Sequence, residues 1–345
     1  MSHQYAKECA AKYIGSTLES PYTVHKNRTI AELLAELLRK IEVPTVFDLG
    51  GNVSGLIKKQ GSLRFQLEQV SIKYYSLDLV PEYFSIAFAQ SLGVENDNIF
   101  GNRIGVVGDL RSLPMASQSL EAVVAADVIE HIPNPSNPIS EIKRVLQPEG
   151  LGVIVVPSLY KLDTINAPYI REKRYSSHAN KFTFSEWISI IQDSGLTIDM
   201  NLSRPLGILS GLLYMTWLDS RFVPQKDSKE SEEIFSDQAN LFKEIKRIVS
   251  SFDPEMDNYL LQHPHEMDDL AEMIKNGEIV ALIAKIRQLL LDRLECEQVS
   301  LFDEMLCILQ ETNFDRPSLS KIQSAVSENG NFFLGNSVLL IVRNN

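Results

Sequence analysis

From Thr29 onward, Ile30, Leu33, Leu34, Leu37, Leu38 and Ile41 recur at three- and four-residue spacing, which predicts an amphipathic helix that Pro44 ends. The pattern then shortens. Thr45–Leu49 is an apolar run closed by Gly50-Gly51, the mark of a buried strand and a turn. Further strands are predicted at Ser71–Leu77, Ile104–Val107, Leu120–Ala125, Leu151–Val156 and Leu196–Met200, with helices at Pro81–Leu92, Ile139–Leu146 and Phe184–Ser194. Such alternation predicts βαβ units and a mostly parallel α/β sheet with helices on both faces.

From about Pro205 to Glu328 the pattern turns helical, with long candidates at Glu233–Val249 and Glu266–Leu294. Ser337–Val342 then reads as a final strand, which needs a sheet and so returns to the first domain. The expected organisation is an N-terminal cap segment (1–27), a core made of 28–205 and 329–345, and a helical insertion (206–328).

Composition narrows the class. The chain has 345 residues, 44% hydrophobic and 23% charged, the profile of a soluble globular protein. No apolar run approaches the roughly 18 residues of a membrane span, and the opening residues do not read as a signal peptide. Cys9, Cys296 and Cys307 lie too far apart for a disulfide framework or a paired-cysteine metal knuckle, which predicts a cytoplasmic setting. The net charge of −12 is concentrated: residues 206–330 hold 23 acids against 12 bases, and the rest 22 against 21. An acidic surface without a basic stripe repels phosphate backbones, so neither nucleic acid nor membrane is an expected partner.

Four turns follow strands, where open parallel sheets place their ligands. Asp48-Leu49-Gly50-Gly51-Asn52-Val53-Ser54-Gly55 offers backbone amides to an anionic group, although Asn52 stands where a dinucleotide fingerprint needs glycine. Asp78, before Leu79, can accept from a ribose diol, and Asp109, before Leu110, from an adenine amino group. Asp127 opens the fourth, Asp127-Val128-Ile129-Glu130-His131, and serves there as a ligand or as the cap of a following helix.

The runs VFDLGGNVSG, YYSLDLVPEYFSIA, GDLRSLPMASQSLEAVVAADVIEHI and EIKRVLQPEGLGVIVVPS resemble the successive motifs of class I S-adenosylmethionine-dependent methyltransferases, over about Thr29 to Met200 plus the last strand. The later run RYSSHANKFTFSEWISIIQDSGL resembles a segment of the small-molecule members. The resemblance implies a Rossmann-like, mostly parallel seven-stranded sheet whose last strand is antiparallel. It implies S-adenosyl-L-methionine as cofactor: its methionine end at Asp48, Gly50, Gly51 and Asn52, its ribose on Asp78, its adenine against Leu79, Asp109 and Leu110, with Asp127 nearby. The first motif departs from the family's D-x-G-x-G-x-G, reading D-L-G-G-N-V-S.

What the resemblance implies is methyl transfer by in-line displacement to an oxygen or nitrogen of a small-molecule acceptor. The alternatives are an inactive cofactor-binding scaffold and a peptide or protein acceptor. His131 is a candidate general base or a packed element that orients its loop, and His178 is a second candidate. His263-Pro264-His265 lacks a third ligand, so no metal is expected. The apolar cluster Leu212–Leu218 packs the insertion onto the core or walls an acceptor site as a lid; dimerisation through Glu266–Leu294 is a third use.

Overall fold

Helix α1 is described over Pro21–Leu37. The helix thus reaches eight residues further toward the N-terminus than the apolar repeat alone predicts. It does so because its buried stripe turns polar there: His25, Lys26, Asn27 and Thr29 are buried alongside Ile30, Leu33 and Leu34. The computed structural model describes residues 21–51, 59–81, 83–84, 105–157, 179–180, 182, 184–219, 229–311 and 337–345. Most of the helix expected at Pro81–Leu92 lies outside the described residues.

β1 (Thr45–Leu49), α2 (Leu63–Gln69), β2 (Lys73–Asp78), β3 (Gly105–Val107) and β4 (Leu120–Ala126) follow. Ser62 caps α2 by accepting a hydrogen bond from the Phe65 amide at 3.2 Å. A short 3-10 turn over Ile129–His131 leads to α3 (Ser136–Val145), β5 (Leu146–Pro157), α4 (Phe184–Asp193) and β6 (Thr197–Ile198). β7 (Arg204–Leu206) precedes the helices α5 (Ile208–Asp219), α6 (Lys229–Gln262), α7 (Pro264–Asn276), α8 (Ile279–Leu290) and α9 (Cys296–Glu311), and β8 (Ser337–Arg343) comes last.

The strands of the described residues make one eight-stranded sheet, seven of them in the order β3-β2-β1-β4-β5-β8-β6, with β7 paired to β8. β1 is parallel to both β2 and β4, β2 to β3, and β4 to β5, whereas β8 runs antiparallel to β6. Val46, Leu49, Leu77, Val123, Val124, Ile154 and Val155 are fully buried, as expected of parallel strands covered on both faces. The chain reverses its direction of travel across the sheet at β1, so the crevice beyond the carboxyl ends of β1 and β4 is the topological switch point.

Two compact units result: Met1–Val156 with Ile188–Ser203 and Leu339–Asn345, and Pro157–Trp187 with Arg204–Val338. The second has its own apolar core, in which Leu209 and Leu212 of α5, Ile245 of α6, Leu270 of α7, Ile286 of α8 and Phe302 of α9 are completely buried. Sequence periodicity predicts a single helix over Glu266–Leu294. The structure divides it at Gly277, whose left-handed φ of 76° lets its amide cap α7 on Ile274 and Met273.

Candidate functional site

Parallel strands end on the same side, and consecutive strand ends here carry Asp48 (β1), Asp78 (β2), Asp109 (just past β3) and Asp127 (just past β4). Registers of Asp48 with Ser76, of Asp78 with Val107 and of Asp48 with Val124 align those ends along one edge. Of the residues singled out from the sequence, Asp48, Gly50, Gly51, Asp78, Leu79, Asp109, Leu110, Asp127 and His131 lie along this edge of the first unit. Asn52 and His178 lie outside the described residues.

The turn after β1 is drawn tightly against β2. The amides of Gly50 and Gly51 both approach the Leu77 carbonyl, at 2.7 and 3.4 Å. A side chain at Gly51 would place its first carbon 2.5 to 2.6 Å from Ser76 Oγ, Asp48 Oδ2 and the Tyr74 hydroxyl, so only bare backbone fits. Beneath it Asp48 is buried and accepts a 2.7 Å hydrogen bond from Tyr74. Burial pushes its carboxyl up to about 7; Tyr74 and Lys26 pull the other way, and the charge of Asp78 adds to the rise.

Asp78 is also buried, and its Oδ1 accepts from the Val80 amide at 2.9 Å. Leu79 beside it is 52% exposed, an apolar surface at the rim that can receive a flat ring, while Leu110 is buried. Asp109 is held from its own loop. Arg111 donates through its amide at 2.8 Å and its guanidinium at 2.6 to 3.0 Å, and keeps that carboxyl below the usual range.

At the end of β4, Asp127 takes a left-handed φ of 53° and accepts from the buried ammonium of Lys26 on α1. Burial works against that ammonium's charge, yet Asp127, with Glu130 and Asp48 behind it, holds the Lys26 pKa above the usual lysine value. Glu130, in the 3-10 turn, is 1% exposed, and its Oε2 has no hydrogen-bond partner. Burial, and then repulsion from Asp127, raise its carboxyl well above the ordinary range. His131 follows it, one third exposed, its Nε2 4.0 Å from Glu130 Oε1.

Lys26, Tyr74 and Arg111 are members of this edge that the motif reading does not reach. Lys26 had a legible signal: stepping back by four from Leu38 through Leu34 and Ile30 lands on it. Tyr74 meets Asp48 through the pairing of β1 with β2, which no local pattern reveals. In the second unit, His263 Nδ1 donates at 2.8 Å to the Tyr259 carbonyl, and its ring stacks on that of Tyr259 at 4.1 Å. Among the described residues no three His, Cys, Asp or Glu side chains are grouped to hold a metal ion, and no helix is long and apolar enough to cross a membrane.

Residues 59–154 match the family described as the methyltransferase domain. No curated protein matches the sequence. Among solved structures, a Bacillus halodurans protein described as a methyltransferase is 20% identical, with a TM-score of 0.39 over 60% of this chain and 84% of its own. A Galdieria sulphuraria protein described as a sarcosine dimethylglycine methyltransferase is 13% identical, with a TM-score of 0.43 over 92% of this chain and 85% of its own. A Haloferax volcanii protein described as a methyltransferase, solved with the activator Trm112, is 23% identical, with a TM-score of 0.36 over 49% of this chain and 68% of its own. These likenesses are loose.

Proposed function

Since residues 59–154 match a methyltransferase domain, we propose that the chain is a class I S-adenosylmethionine-dependent methyltransferase that moves the methyl group of that cofactor to an oxygen or nitrogen of a small-molecule acceptor. The observation that carries the cofactor reading is the row of four carboxylates at adjacent strand ends beside a turn that admits only bare backbone. That set fits the group. Gly51 lets the turn lie directly on Asp48 and Tyr74, the acidic edge complements a cation, and Asp78 stands where a diol can be accepted.

In this reading the Asp48–Gly51 turn, with Asn52, takes the methionine end. Asp78 holds the ribose hydroxyls. Leu79, Leu110 and Asp109 flank the adenine, and Asp127 borders the methionine end from β4. For Asp109 to accept from an adenine amino group, the Arg111 guanidinium has to turn away from it. When bound, the cofactor supplies an activated methyl on a sulfonium. The chain's own task is to align an acceptor with that methyl, exclude water and remove a proton where the acceptor carries one. His131, partly exposed at the end of β4, is the base assigned to that proton, with His178 as the second candidate. The helices α5 to α9 have an apolar core of their own.

Calorimetric titration with S-adenosylmethionine and S-adenosylhomocysteine, on the native protein and on Asp78→Ala, tests the cofactor site. Binding weakened about tenfold or more in the variant is the expected result, matching a lost pair of charge-assisted hydrogen bonds. Absence of binding to either ligand would sink the reading and leave an inactive scaffold in its place. A screen of hydroxyl and amine acceptors then decides the acceptor class.

A further inference from the structure

Among the described residues, two buried carboxyls at this edge have no cation of their own. Asp48 is covered by Gly51 and hydrogen-bonded only to a neutral phenol in the contacts described above. Glu130 is more deeply buried, with one oxygen unpartnered. Lys26, a buried ammonium that acts on both, is engaged by Asp127. A charged carboxylate left unpaired in such surroundings is costly, and a proton is the cheapest substitute for a missing counter-ion.

We propose that Asp48 and Glu130 read the charge of the bound cofactor, giving up protons to solvent when a sulfonium occupies the edge and taking them back when the sulfur is neutral. The inference rests on the cofactor reading above. It goes further by giving two chain residues a role that distinguishes the methyl donor from its demethylated product. The balance is one charge for one: the sulfonium's single positive charge stands in for one proton, drawn in shares from the two carboxyls, and that proton passes to buffer. After transfer the sulfur is neutral, that one counter-charge is gone and a proton returns; the ammonium and carboxylate of the methionine end are common to donor and product and cancel in the comparison. The donor is therefore held more tightly than the product as pH rises.

The groups facing the two carboxyls set the range of the response. Asp48 feels Tyr74, Asp78 and Lys26, and Arg64 lies behind Tyr74. Glu130 feels Asp127, Lys26 and its neighbour His131. With its carboxyl pushed up to about 7, Asp48 is partly protonated near pH 7 and has a fraction of a proton to release there.

Titrating the full chain at pH 7 in phosphate and in Tris, whose ionisation enthalpies differ, counts the protons exchanged on binding. S-adenosylmethionine is expected to release roughly half a proton or more beyond what S-adenosylhomocysteine releases. Glu130→Gln and Asp48→Asn are each expected to shrink that difference, and the double variant to abolish it. Should Glu130→Gln fail to fold, Asp48→Asn carries the same comparison. Binding of both ligands with equal proton counts would overturn this inference while leaving the cofactor site intact. Failure of both to bind would overturn the cofactor reading, and this inference with it.

Discussion

Gly51 and Lys26 show how much of this site rests on single side chains, or on the lack of one. At Gly51 an added methyl meets three polar atoms at once, two of which are already hydrogen-bonded to each other. We expect Gly51→Ala to lose about 2 kcal/mol, the cost of overpacking a close-packed site, measured by urea unfolding. Lys26→Met keeps the buried stem and removes the charge. It leaves Asp127 without its buried partner, which costs several kcal/mol in a fully buried pair and about 2 kcal/mol here, where Asp127 is 38% exposed. The same unfolding measurement checks it, and an unchanged midpoint would show that the pair contributes nothing. Of these residues the sequence exposed the aspartates and glycines, because strand-end turns announce themselves through composition. It hid Tyr74 and the burial of Glu130, because a contact across β1 and β2, or the depth of a side chain in a 3-10 turn, has no local signature.

Elements were legible where their period is strong and blurred at their ends. Thr45–Leu49 and Leu120–Ala126 are apolar enough to be read almost residue for residue. α1 was read short because the polar half of its buried stripe imitates a loop, and the break between α7 and α8 was missed because only Gly277 marks it. Gly277→Ala is expected to cost about 1–2 kcal/mol, since a side chain at φ 76° is strained. Stability to thermal unfolding checks that figure. α5 depends on a different device. Both oxygens of Asp257 accept from the amides of Gly207 and Ile208, at 2.7 and 2.8 Å, and Asp253 one turn earlier accepts from Ser210 at 3.2 Å. Burial, then repulsion from Asp257, push the Asp253 carboxyl up to about 8, and its Oδ2 has no partner. Its proton is held more tightly folded than unfolded, so the stability it lends is full below about pH 4 and falls as pH rises through 8. Asp253→Asn removes that titration. The variant should melt with less change between pH 5 and pH 8.5 than the native chain, and parallel melting curves would refute the assignment.

At the scale of the molecule, the alternation of strands and helices revealed the sheet, and the isolated apolar run at Ser337–Val342 revealed that the sheet is closed by a distant segment. Strand order and pairing partners were not written in any one stretch; they follow from which buried faces can be satisfied together. β8 lies between β5 and β6, and Val338–Val342 is almost completely buried. That position has a consequence for synthesis. β5 is finished by Pro157, yet its neighbour has not been made until Arg343. During translation the growing sheet carries an open, apolar edge while the ribosome adds nearly two hundred more residues, a wait of roughly ten to forty seconds at ordinary elongation rates. A nascent chain in that interval is a partner for chaperones and for other unfinished copies of itself, and a premature stop anywhere in the helical stretch would strand it there.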